Sequence, residues 1–398
     1  MNKAKLQKEG KKWVKDGIIT DTQLESILST YKSRDPFYIF ITFAVLFISI
    51  GVILFVFTDW TNILAMTRVI IITIFMLILY LLGIYFHKNE NKTYGISFII
   101  LGYIFFGATL ILIINVYNVT FFAVWMFFIW GIIGLLLYFI YRNVYLLSVG
   151  LLITIIGQLY SGIDSANFHI WLFGLFILGY FHFIFHNRHS LTSYLFVIGF
   201  QLQMLVLMFS ENLEYYWLIV LFFLPYVLSR FVKEDSFKNA LTYISFLSIF
   251  IFKIFESFLL QESYFLEEIE YHVLFFVIWG MVWISLLGWE WLKNEKLELM
   301  NLILFVPLFF LPYSYIAVLL TMFAFAIYWL IVGYQQQMQS YVVIGMTGFI
   351  ISTFTAYIQF AWEMMNRSLF FIVGGILLFV ISSFFERKRR TMEGSKGR

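Results

Sequence analysis

The sequence predicts an all-α fold: a polytopic bundle of about fourteen transmembrane helices (range about 12–14) behind a short N-terminal cytoplasmic helical hairpin. Of its 398 residues, 62% are hydrophobic and only 12% are charged, whereas soluble domains carry about 25% charged residues. Apolar runs of about 20 residues recur along the chain, and each is long enough to cross the bilayer core as a helix. Lys and Arg are concentrated in alternate loops, which is typical of multi-pass membrane proteins.

The first element is the polar segment 1–36, which lacks the apolar core of a signal peptide. It predicts two short helices, with Gly17 in the left-handed position after the first and Thr20 and Asp21 at the N-cap of the second. The Lys residues among the first 15 positions favour anionic headgroups. The hairpin is therefore either a cap packed on the bundle or the lipid interface, or a docking and self-association element formed by residues 1–31.

The membrane-spanning runs follow one another with short loops. The runs lack the period-two alternation of a membrane β-barrel, and helices satisfy every backbone polar group internally. The spans 297–311 and 315–332 are short, lie around Pro307 and Pro312, and could form one re-entrant unit instead. The predicted spans are 37–57, 69–86, 94–114, 121–141, 144–160, 170–186, 191–209, 215–231, 240–260, 271–287, 297–311, 315–332, 341–360 and 369–385.

The orientation follows from the basic residues. With the N-terminus in the cytoplasm, all but three of the 26 Lys and Arg residues fall on the cytoplasmic side, as the positive-inside rule requires. The exceptions are Arg68, Lys253 and Arg367. The pattern predicts that both termini lie in the cytoplasm.

The domain organisation follows from these elements: a hairpin (1–36), a transmembrane bundle (37–386) and a basic cytoplasmic tail (387–398). A shift of about 149 residues lays 37–186 onto 191–332 within a few residues. This agreement indicates either a weak duplication or only the even spacing of the spans.

Lys253 and Glu256 are the first candidates for a functional site. They are three residues apart, so they share one face of a predicted span. A single charge at the centre of a membrane helix costs about 2.5–3.5 kcal/mol on the insertion scale. The two residues are therefore either an ion pair that snorkels to the outer interface or part of the polar lining of a substrate or ion path.

Other polar residues of the spans belong to two groups. Arg68 and Arg367 begin helices on the outer side, with Asp59 and Glu363 near them in sequence. They form either outer-surface ion pairs or contacts to an anionic substrate. Uncharged amides inside spans predict hydrogen bonds between helices, and these are Gln158, Gln201, Gln203, Asn301 and Gln359.

Several classes of chemistry are excluded or disfavoured. The absence of Cys excludes disulfides and thiolate metal sites. His182, His186 and His189 share a helix face, but no carboxylate lies beside them and Arg188 would repel a cation. They are interpreted as interfacial histidines, and no metal or cofactor is expected. No phosphate-binding loop, catalytic motif or basic nucleic-acid face is present, so we expect neither an enzyme nor a nucleic-acid partner.

The order of several short motifs in the first 160 residues carries a resemblance. Trp13-Val14 and Gly17-Ile18-Ile19-Thr20 precede a span ending Gly51-Val52-Ile53-Leu54-Phe55, which Asp59-Trp60 follows. A later span contains Gly102 and Gly107-Ala108-Thr109, then Asn115-Val116-Tyr117-Asn118 and Trp125. Over residues 5–160 the chain resembles the bacterial predicted-membrane-protein family known as domain of unknown function 2157.

The resemblance implies a bacterial inner-membrane protein and no particular activity. This chain has Asp59 where the family more often has Asn, and Asn115 where Gln is expected, so both positions join the candidate polar residues. Taken together, the sequence predicts a transporter or flippase-like protein. The alternative is a non-transporting scaffold, sensor or regulator that acts through the hairpin. An intramembrane enzyme is a weaker third interpretation, because no loop gathers two or more plausible catalytic groups.

Overall fold

The computed structural model describes residues 63–361, apart from 90–91, 118–122, 188, 263–269 and 294–298. It also describes residues 10, 13–14 and 17–24 and a few positions within 43–54 and 372–379. This part of the chain is helical and contains no strand. The helices are α1 (Ala65–Asn89), α2 (Lys92–Tyr117), α3 (Ala123–Tyr141), α4 (Val144–Ser165), α5 (residues 170–187), α6 (Ser190–Ser210), α7 (Trp217–Phe231), α8 (Asp235–Leu259), α9 (Val273–Lys293), α10 (Ser314–Gln335) and α11 (Gln339–Ala361). Helix α5 consists of Ile170–Gly174, the π-helical Leu175–Tyr180 and Phe181–Asn187.

The helices agree closely with most of the predicted spans. Within the described ranges, 8 helices are long and apolar enough to cross a membrane, and α5, α7 and α9 are shorter apolar helices. The predicted spans 37–57 and 369–385 fall largely outside the described residues. The total of about fourteen spans therefore stays a prediction. The described residues do contain several apolar helices of membrane-spanning length.

One predicted span, 297–311, is wrong as a continuous helix. It contains a single helical turn (Leu299–Leu302) and a 3-10 turn (Ile303–Phe305), and residues 306–313 are not helical. We call residues 299–313 the broken segment. The cause is Pro307, because a residue before proline is driven out of the helical region. Val306 accordingly has φ −81° and ψ 126°. The span predicted after it is the full helix α10.

Residues 1–126 form one compact unit. Helices α1 and α2 pack along their length, and Gly95 allows the two backbones to approach closely, because an added Cβ would lie 2.6 Å from the His87 backbone nitrogen. In the described part of the hairpin, Gly17 has the predicted left-handed conformation, with φ +71°. The Gln23 amide donates to the Thr20 hydroxyl, and the Gln23 side chain accepts from the Thr20 amide. This reciprocal capping box starts the second helix.

Residues 127–398 form the second unit. Its core is rich in aromatic side chains contributed by α7 to α11 and by the broken segment. Helix α8 is central, since it contacts α6, α7 and α10. The predicted division into 1–36, 37–386 and 387–398, and the duplication, stay predictions.

Contacts between helix ends show which helices of the second unit run in the same direction. The Ser190 and Ser236 hydroxyls are 2.7 Å apart where α6 and α8 begin, and the Gln359 amide donates to Ser257 O where α8 and α11 end. Described basic residues at the first end include Arg142, Lys233 and Lys238, so we call it the basic end. The opposite end has Asp164, Glu211 and Glu262, among other carboxylates, and is called the acidic end.

The broken segment runs from the basic end towards the acidic end. Phe305 packs against Phe223 and Phe246, near the middle of α7 and α8. Phe309 packs against Tyr216 and Phe275, where α7 and α9 begin. The four non-helical residues 306–309 therefore lead from the middle of α7 and α8 to the acidic end, where α10 starts. The segment crosses the unit instead of turning back, which excludes the re-entrant interpretation.

Candidate functional site

The site is built around an ion pair on α8. Lys253 Nζ lies 2.7 Å from Glu256 Oε2, and both side chains are 0% exposed. Their spacing of three residues places them on the same helix face. Counting about 1.5 Å per residue, Lys253 lies roughly 9 Å below the acidic end of α8. The predicted ion pair is present, and it is buried inside the protein and does not reach its surface.

A second hydrogen bond connects the pair to the broken segment. Lys253 Nζ donates to the carbonyl oxygen of Val306 at 3.1 Å. The neighbouring carbonyl, Phe305 O, accepts from Trp279 Nε1 on α9 at 2.9 Å. In a continuous helix these carbonyls would accept from amides four residues later. Here the helix is interrupted, and side chains from α8 and α9 replace the missing donors.

The surroundings of the pair are aromatic. The Tyr215 ring packs against Phe252 on α8 and Phe309 of the broken segment, and Tyr215 interacts electrostatically with Glu256. Glu256 Oε1 is buried and has no hydrogen-bond partner among the described residues. A carboxylate oxygen in such surroundings is costly to leave unpaired. The site therefore contains one unused hydrogen-bond acceptor, Glu256 Oε1, next to the paired ammonium group of Lys253.

The buried amides that the sequence predicts to join helices differ in their contacts. Gln359 Nε2 donates to Ser257 O at 2.9 Å, which confirms the predicted bond between helices at that position. Gln158, with its amide in the orientation that satisfies both atoms, bonds to the His169 backbone. Gln201 and Gln203 have no hydrogen-bond partner for either amide atom within the described structure. The prediction that they join helices is therefore wrong for these two residues.

Two of the remaining sequence-predicted candidates are described in the first unit, each by its own surroundings. Arg68 donates from Nε to Ile63 O at 2.9 Å, and Asn115 is exposed near the end of α2; both belong to the first unit. Asp59 and Arg367 lie outside the described residues. Sequence reasoning also missed Val306, because a backbone carbonyl carries no residue-type signal. Pro307 was its only indication.

The histidines near the end of α5 make contacts within the protein. His186 Nδ1 is 3.0 Å from His182 O, and the two rings are tilted at 41° with centroids 4.5 Å apart. His189 instead caps α6, accepting from the Leu191 amide at 3.3 Å. In the part of the chain that the structure describes, no three potential ligands are placed to hold a metal ion.

These features define a multi-pass α-helical membrane protein with a buried ion pair against an interrupted helix. The model of the family described as "Predicted membrane protein", domain of unknown function 2157, matches residues 11–147. The resemblance seen in the sequence is thereby confirmed over the hairpin, α1 to α3 and the start of α4. The ion pair and the broken segment lie beyond the matched residues. No curated protein and no solved structure matches the chain.

Proposed function

We propose that the protein is a transporter of the cytoplasmic membrane whose solute or coupling-ion site is the Lys253–Glu256 pair with the broken segment. The observation that carries the proposal is the bond from Lys253 Nζ to Val306 O. It joins two features that are expensive in a bilayer, an ionisable pair and non-helical backbone. Both occur in transporters where interrupted helices bind substrate near the middle of the membrane.

The energetics favour a functional reason for the pair. Replacing a buried ion pair by apolar residues of similar volume is often neutral or stabilising. Stability alone therefore gives little cause to place Lys and Glu at these positions. Non-helical backbone at membrane depth is tolerated only where protein buries it or water reaches it. A transport site that is buried by protein in one state and reached by water in another can therefore contain non-helical backbone.

The positive-inside rule supports an orientation for this site. We assign the basic end to the cytoplasm and the acidic end to the outside. The pair then lies closer to the outer surface. A flippase of lipid-linked substrates is a variant of the same proposal, since both would use a polar path beside the broken segment.

The proposal is tested by the access of water to the pair. The chain has no Cys, so single Cys residues can be introduced at Ser257, beside Glu256, and at Val306. Phe255→Cys is the matched control, because Phe255 is on the same helix but 63% exposed on its outer face, where lipid would cover it. Each variant is treated with a membrane-impermeant thiol reagent in intact cells and in inverted vesicles.

A transporter predicts labelling of Ser257→Cys and Val306→Cys from at least one side, and no labelling of Phe255→Cys. If neither site position labels in either preparation, the pair is sealed from water and the transport proposal fails. The scaffold or regulator alternative would then be favoured, and a phenotype on deletion of residues 1–31 with the bundle intact would support it.

A further inference from the structure

An apolar cavity of about 210 Å³ lies in the half of the second unit nearer the basic end. Every residue that lines it is apolar, and α5, α6, α7 and α8 all contribute. Representative lining residues are Ile177, Phe196, Pro225, Leu228, Phe237 and Leu241. Apolar cavities of this kind exclude water and accept hydrocarbon.

Two helix irregularities border this cavity. Ile177 belongs to the π-helical stretch Leu175–Tyr180 of α5, and Pro225 lies inside α7. A π-bulge inserts an extra residue into a helix, and such bulges are frequent at functional sites. Proline removes a backbone hydrogen bond and bends the helix. Both features prevent regular helix packing at the level of Ile177 in α5 and Pro225 in α7, and the cavity lies at that level.

Two lining residues at the outer surface of the helices form the rim of the cavity. Leu228 is 53% exposed and Phe181 is 37% exposed, and both border the opening on the outer surface of the helices. If the bilayer surrounds this surface, its hydrocarbon chains reach the cavity sideways without crossing water. The occupant is therefore expected to be a chain that is already in the membrane.

The α7–α8 link adds charge where the cavity approaches the basic end. Val232 and Phe237 line the cavity, and Lys233 and Lys238 next to them in sequence are exposed. Arg230 lies in the last turn of α7. Glu234 and Asp235 in the same stretch reduce the net charge to about +1, which still favours an anionic headgroup at the surface.

We infer that this cavity binds one acyl chain of an anionic phospholipid, whose phosphate meets Lys233 and Lys238 at the basic end. The inference stands apart from the proposed function, because it involves neither the ion pair nor the broken segment. The lipid would fill the space that the π-bulge and Pro225 create between α5 and α7. It would be held more tightly than the lipids along the smooth faces of the bundle.

The test uses the full chain in phosphatidylcholine vesicles that contain a small fraction of phosphatidylglycerol with a photoactivatable diazirine in its acyl chain. After illumination, the crosslinked peptides are identified by mass spectrometry. We expect crosslinks concentrated in residues 177–200 and 225–241. Leu241→Trp, which fills the cavity, should reduce them several-fold. Leu247→Trp is the control, because Leu247 lies on the same helix and is 56% exposed.

Two further variants keep the test decisive. Leu228→Trp narrows the rim at an exposed position where misfolding is not expected, so it should lower crosslinking even if Leu241→Trp fails to fold. Lys233→Gln with Lys238→Gln should lower crosslinking by the phosphatidylglycerol probe but not by a phosphatidylcholine probe with the same acyl diazirine. Crosslinks spread evenly over all lipid-facing helices, unchanged labelling of Leu228→Trp, or equal labelling by the two probes would overturn the inference.

Discussion

At the scale of the residue, the spacing of Lys253 and Glu256 predicts their pairing, and the structure has both groups fully buried. A free Lys253 ammonium or a free Glu256 carboxylate at this depth has no solvent to stabilise it. The two charges therefore depend on each other far more strongly than an exposed pair would.

Lys253→Met should destabilise the protein by about 3–5 kcal/mol, because it leaves Glu256 buried without its counter-charge. Adding Glu256→Leu to that variant should recover part of the loss, since the unpaired carboxylate is then gone as well, while Val306 O still lacks its donor. Thermal unfolding in detergent micelles measures both changes. If the double variant is no more stable than the single one, the two side chains are not coupled as the structure shows.

The same double variant separates folding from function. If the double variant regains stability but does not reverse a cellular phenotype caused by Lys253→Met, the charged pair is needed for function. If it reverses both effects, the role of the pair is structural.

The residue scale also shows where sequence reasoning stops. The ion pair follows from helix periodicity, but its bond to Val306 joins positions 53 residues apart. That contact depends on how α8 packs against the broken segment. Gln201 and Gln203 show the reverse: their residue type predicts bonds between helices, yet each faces neighbours that offer no partner. In both cases tertiary packing decides which hydrogen-bond partners a side chain meets, and local sequence composition does not predict that packing.

At the scale of the element, apolar length predicts the helices well and their interruptions poorly. The boundaries of α2 and α3 lie within a few residues of the predicted spans, because lipid requires continuous helices of about 20 residues. Pro307 indicates a disturbance, but it cannot specify that the chain crosses in a largely non-helical form. The partners that make this possible, such as Trp279, come from other helices. The π-bulge of α5 leaves no sequence signal that distinguishes it from an ordinary turn.

Trp279→Phe should destabilise the broken segment. The substitution removes the donor to Phe305 O, and an unsatisfied buried carbonyl costs about 1–3 kcal/mol. Trp291→Phe is the matched control, because Trp291 lies on the same helix and is 79% exposed. Unfolding temperatures in micelles should fall for the first variant and stay near wild type for the second. Equal effects would mean that the indole contributes bulk alone.

The α10–α11 pair depends on close contact at glycine. An alanine Cβ at Gly345 would lie 2.5 Å from Leu330 N and 2.9 Å from Ala326 O, both backbone atoms that cannot move aside easily. Gly345→Ala should therefore cost about 1–3 kcal/mol. Gly280→Ala on α9 meets no described atom within 4 Å and should be neutral or slightly stabilising, as expected for alanine in a helix. Thermal unfolding of the two variants side by side tests this difference.

At the scale of the whole molecule, the distribution of charge and the packing of helices support the same topology. The sequence assigns the basic loops to one side of the membrane, and the contacts between helix ends in the second unit gather Arg142, Lys233 and Lys238 at one end. That agreement concerns helices that precede the broken segment, whereas the directions of α10 and α11 depend on it, because a turn back at Pro307 would reverse both helices. Whether the broken segment crosses the membrane therefore decides whether the number of crossings, here called the parity of the bundle, is even or odd.

Single Cys residues at the two ends of α10 test that parity. Tyr313 precedes α10 and is 73% exposed at the acidic end, and Gln337 lies in the exposed turn between α10 and α11. With a membrane-impermeant thiol reagent on intact cells, Tyr313→Cys should label, and Gln337→Cys should label only after permeabilisation. Cys at Asp164 and Lys238 fixes the two sides independently of the broken segment. If Tyr313→Cys behaves like Lys238→Cys, the segment does not cross, and the even number of spans that the basic residues indicate would have to come from another part of the chain.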